Sequence, residues 1–143
     1  MKKCLILVGA CLLHGYAIAQ SFDDTYNTDD ANPPMNVTFK IPAGTGSGAW
    51  NTAQTPIVAC GNPAQATITY VNDDTVAHRV HTNGKPHPHM GPTLAPGQSN
   101  TVTINVAAFD NTQPGSTNEV YDHNFGAATS RIYIKLVACP TEE

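Results

Sequence analysis

Residues 66–78 read Ala66-Thr67-Ile68-Thr69-Tyr70-Val71-Asn72-Asp73-Asp74-Thr75-Val76-Ala77-His78. Ala66, Ile68 and Tyr70 alternate with Thr67 and Thr69, the period-two pattern of a strand with one face buried. The pattern recurs on both sides. Val37, Phe39 and Ile41 alternate with Thr38 and Lys40; Val102, Ile104 and Val106 with Thr101, Thr103 and Asn105; Ile132, Ile134 and Leu136 with Arg131, Tyr133 and Lys135. Turn signals separate them at Gly44-Thr45-Gly46-Ser47-Gly48, Pro96-Gly97 and Pro114-Gly115. No stretch carries a 3.6-residue apolar stripe. Several short strands in one small domain predict an all-β fold, a two-sheet antiparallel sandwich.

The chain has 143 residues, with 41% hydrophobic side chains and a formal net charge of −4. That is one domain with an appendage and enough apolar content for a core. Its acidity excludes the basic face of a nucleic-acid binder. Lys2 and Lys3 precede the apolar run Cys4–Leu13, and Ala17-Ile18-Ala19 supplies small residues before Gln20. Residues 1–19 read as a secretory signal cleaved before Gln20. The run is too short for a membrane span. A lipid-attachment box at Val8-Gly9-Ala10-Cys11 is the competing reading, with a short apolar stretch before it. The expected product is exported: periplasmic in a Gram-negative source, extracellular otherwise. Cleavage leaves five positive and eleven negative side chains, net −6. Residues 20–35, rich in Asp and turn formers, read as a flexible acidic lead-in. Residues 36–139 hold the sandwich and 140–143 a short tail.

Two cysteines remain, Cys60 and Cys139. In an exported protein a single pair implies one disulfide; a thiolate metal site or a redox pair is the alternative. All five mature histidines, His78, His81, His87, His89 and His123, lie between residues 78 and 123, and four of them fall within twelve residues. Neutral imidazole is the commonest protein ligand for copper, zinc and nickel, and the thioether of Met90 suits Cu(I). In an extended segment Val76, His78 and Val80 share one face, and Arg79 and His81 the other. His78 is then either a ligand or a core histidine with a hydrogen-bonded partner. His87 and His89 flank Pro88 in a loop that Pro86 and Pro88 hold extended. An adventitious metal-binding loop is the bland reading of this cluster.

Tyr70 to His78 resembles the cupredoxin segment in which a strand ends in an Asn/Asp turn and delivers the first copper histidine. Pro96-Gly97-Gln98-Ser99 is similar to that family's next turn, and Val120-Tyr121-Asp122-His123 to its C-terminal ligand loop. The likeness spans about residues 36 to 139. It implies a Greek-key β-sandwich with His78 and His123 as framework ligands at one pole, and His87, His89 and Met90 as supplementary ligands. His81 should matter least. It also places Cys60 and Cys139 at the opposite pole. The chain departs from the blue-copper pattern: Val120 stands where the family has Cys, and Ala127 or Ala128 where it has Met. Without thiolate the expected activity is non-enzymatic copper carriage, storage or buffering, as Cu(II) or Cu(I), with zinc as the alternative ion. The implied partners are the metal ion and another copper protein for exchange. A copper enzyme of superoxide dismutase or oxidase type, using the same histidines, is the first alternative. A β-sandwich module with no metal is the second.

Overall fold

A computed structural model describes residues 33–141. The expected signal segment, the cleavage site and most of the acidic lead-in lie outside these residues. Eight strands follow in order: β1 (Asn36–Ile41), β2 (Ile57–Cys60), β3 (Thr67–Asn72), β4 (Val80–Thr82), β5 (Ser99–Thr103), β6 (Phe109–Asp110), β7 (Val120–Asp122) and β8 (Ile134–Val137). They form a sheet β1-β3-β5, a sheet β2-β8-β6 and a two-stranded ribbon β4-β7.

Each expected alternation is realised in burial. Val37, Phe39 and Ile41, Ala66, Ile68 and Tyr70, and Ile132, Ile134 and Leu136 all enter the common core. Ile104 is buried, while Val102 and Val106 pack against the core only in part. Pairing within β5 sits earlier than the alternation suggested. It ends at Thr103, because Asn105 turns away to bond Pro86 O and Gly84 O.

The sheets are mixed rather than antiparallel. β1 runs parallel to β3 (Val37 opposite Ile68) and β2 parallel to β8 (Ile57 opposite Ile134). The cause is topological. β2 belongs to the other sheet, so the chain crosses over between β1 and β3, and strands joined by a crossover run the same way. β2 itself, Ile-Val-Ala-Cys, is buried at all four positions, a continuous apolar run rather than an alternating one.

Cys60 and Cys139 form the disulfide, with Cα atoms 4.7 Å apart. Cys60 is the last residue of β2, and Cys139 lies just beyond β8. Arg131 bridges to Tyr121 at the other end of this segment. Cys139 lies eight residues on from Arg131 along near-extended chain, roughly 25 Å at about 3.3 Å per residue. Trp50, 2% exposed, is a core residue. It stacks on Phe39 at 6.3 Å and meets Tyr70 at 5.8 Å and His78 at 5.5 Å.

Candidate metal site

The five histidines divide by strand phase into an inner pair and an outer trio. His78, Val80 and Thr82 point inward and are buried, whereas Val76, expected on the same face, is 38% exposed. The regular phase begins only at His78, which bridges to Leu94. Upstream, Asn72 closes the turn: its side-chain amide donates to Val76 O and Leu94 O, and its Oδ1 accepts from the Asp74 N–H.

His78 fills a polar slot in the core. Nδ1 bonds the Asp122 carboxylate, and Nε2 lies 3.0 Å from Asp74 Oδ2. Asp74 also accepts the N–H groups of Gly44, Gly46 and Thr75. Those bonds, led by the one from Gly46, hold its carboxyl well below the usual carboxylate range. Gly44 and Gly46 sit at φ +82° and +51°, where a Cβ is strained, which explains why this loop is glycine-punctuated. With both ring nitrogens engaged, His78 has none free for a metal ion. The framework role implied by the family resemblance therefore does not fit it; the core reading does.

His87 departs in the same direction. It is fully buried, not displayed on an exposed loop. Nδ1–H donates to Pro88 O at 3.1 Å, and Nε2 accepts from Tyr70 Oη at 2.9 Å. Thr82 Oγ1 holds the loop down through His87 O. Burial pushes the imidazole down to about 4, so it is neutral at neutral pH.

The outer face carries the other three. In the ribbon, His81 pairs with Tyr121, and His123 donates its N–H to Arg79 O, so His81, Tyr121 and His123 project on one side. His81 lies in the middle: its ring centroid is 4.4 Å from His89, 5.4 Å from His123 and 4.5 Å from Tyr121. Met90 joins them through a bridge to His81. His81, expected to matter least, is thus the centre of the cluster. From His78 onward the alternation holds, and the outer face is the crowded one. His89 and His123 are exposed and His81 is half-buried. Burial lowers the His81 pKa, and the neighbouring His89, His123 and Arg79 lower it further.

His81 Nδ1 is shut off from solvent and has no hydrogen-bond partner. A buried imidazole nitrogen without a partner costs about 1–3 kcal/mol, and a bound cation removes that cost. The donor chemistry fits copper: three imidazoles with a thioether beside them. Among the described residues, no three His, Cys, Asp or Glu side chains stand ready around one ion. The exposed rings of His89 and His123 have to turn about their side-chain bonds to close a shell. Val120 is a buried core residue.

No family model and no curated protein matches the chain. Solved structures that match it include cupredoxins. A purple cupredoxin from Nitrosopumilus maritimus is 17% identical over 68% of this chain and 95% of its own, with a TM-score of 0.39. A Cu(I) amicyanin mutant is 14% identical over 77% and 86%, with a TM-score of 0.37, and a reduced amicyanin mutant is 16% identical over 78% and 86%, with a TM-score of 0.35. Identity is low and the Cα traces overlap loosely in all three, so the chemistry of this pole rests on its own side chains.

Proposed function

We propose that the protein is an exported, non-enzymatic copper-binding protein, a carrier or buffer, whose site is the outer-face trio His81, His89 and His123 with Met90 beside it. The observation that supports this is the solvent-shielded, unpartnered Nδ1 of His81 amid two further imidazoles. His78 and His87 belong to the fold; their nitrogens are spent on Asp74, Asp122, Tyr70 and Pro88. Two of the three ligands are solvent-exposed, which suits exchange with a second copper protein better than a sealed prosthetic site. The absence of thiolate ligands removes the means by which blue-copper sites tune fast electron transfer.

The test is a competition titration against a copper chelator. The protein should bind one copper per chain with no intense thiolate absorption. His81→Ala, His89→Ala and His123→Ala should each weaken binding by at least about tenfold, the scale expected for loss of a positioned imidazole. Variants of all three that retain wild-type affinity would sink the assignment. Turnover of superoxide by the copper-loaded protein would replace it with an enzymatic one.

A further inference from the structure

Resting on that copper reading, we propose that Met90 is the donor that distinguishes Cu(I) from Cu(II) at this site, and that its oxidation by hydrogen peroxide selectively weakens the hold on Cu(I).

The placement of Met90 follows from backbone bonding. Thr82 N–H donates to His89 O at 2.8 Å, and Gly91 N–H to Val80 O at 3.2 Å. These two bonds flank the bridged residues His81 and Met90, which makes them a non-hydrogen-bonded antiparallel pair. In such pairs the Cα atoms are at their closest, about 4.5 Å, and the side chains share a face. Cross-strand pairing therefore sets Met90 beside His81 on one face, on backbone anchored at both ends. Tyr121 occupies the other side of the same rank.

Exposure makes that sulfur reactive. Met90 is 37% exposed, whereas Met35 is half-buried and packs against the core. Among the described residues Met90 is the exposed methionine. With hydrogen peroxide, the sulfur lone pair attacks one peroxide oxygen. An S–O bond forms as the O–O bond breaks, and the second oxygen leaves as water with both protons. Sulfur is oxidised by two electrons and peroxide is reduced by two, giving methionine sulfoxide, which the reductases MsrA and MsrB reverse.

The two copper ions should feel this differently. A thioether is a soft donor that favours Cu(I), while imidazoles serve both states. The sulfoxide is polar and no longer a soft thioether, but the three imidazoles remain. An oxidative environment would then shed Cu(I) and leave Cu(II) binding close to unchanged.

The experiment treats the metal-free protein with hydrogen peroxide and locates the added oxygen by peptide mass mapping. Affinities are then measured by competition with a Cu(I) chelator under anaerobic reducing conditions and with a Cu(II) chelator in air. Oxygen should add at Met90 before Met35. Cu(I) affinity should fall on the order of tenfold, recover after methionine sulfoxide reductase, and be low without peroxide in Met90→Leu. Met35→Leu should keep the full response, and Cu(II) affinity should change much less in every sample. Oxidised protein that holds Cu(I) as tightly as untreated protein would overturn this inference alone. Untreated protein that binds no copper would overturn the copper reading and this inference with it.

Discussion

Acidification between pH 7.5 and 4.5 should destabilise the metal-free protein through one buried side chain. His87 is neutral in the fold, and burial moves its pKa from an ordinary 6.5 to about 4. Once unfolded it regains the ordinary value. Between these limits the unfolded chain binds a proton that the folded chain refuses, so stability falls as pH falls. The full difference of about 2.5 units corresponds to roughly 3 kcal/mol. About 2.5 kcal/mol of that is lost by pH 4.5. Asp74 and Asp110 are carboxylates held below their usual range, and their contributions are lost only at lower pH. His81 acts in the same direction as His87 and must be separated from it. The control is His87→Gln, whose amide can still donate to Pro88 O and accept from Tyr70 Oη without titrating. Urea unfolding followed by Trp50 fluorescence, with the disulfide intact and a chelator present, gives stability at each pH. The wild type should lose about 2.5 kcal/mol more than His87→Gln across this window. Parallel slopes for the two proteins would refute the buried, neutral assignment of His87.

Three further outcomes follow from the same geometry. Reducing Cys60–Cys139 opens a loop of 79 residues and should cost about 4 kcal/mol in denaturant unfolding, while folded reduced protein keeps its copper affinity. His78→Ala removes the group between two inward carboxylates and should cost about 3 kcal/mol or more; the folded fraction should still bind one copper, and loss of binding from well-folded protein would return His78 to the ligand set. Copper affinity should fall on acidification from pH 7.5 to 5, because bound imidazole must be neutral; a titration flat across that window would exclude imidazole ligation.

The sandwich was legible because its longer strands have one wet face, and alternation reports that directly. β2 and the short ribbon strands were not. A four-residue run buried on both sides has no period, and strands of three residues are too short to show one. Parallel pairing escaped notice because alternation along a strand carries no information about the direction of its neighbour. Among the histidines, phase put His78 inward and His81 outward, which the structure bears out. The overlooked signal was Asp122. It alternates with Tyr121 and His123 and so shares the inward face of Val120, where a carboxylate needs a partner. Pairing it with His78 would have identified the core histidine from sequence. The burial of His87 had no comparable cue, since it depends on Tyr70, seventeen residues away, reaching it through a hydroxyl.

The two inner histidines are fastened into the fold while His81, His89, Met90 and His123 face the other side, so under the proposed copper reading stability and ligand choice are written in separate sets of residues. His89, Met90 and His123 are exposed, which leaves that pole free to drift, or to be redesigned, toward other ions. Swapping Met90 for a carboxylate would bias it toward zinc, and replacing one imidazole with a cysteine would supply the thiolate it lacks. A lineage built on this scaffold could change its metal many times while its core stayed the same.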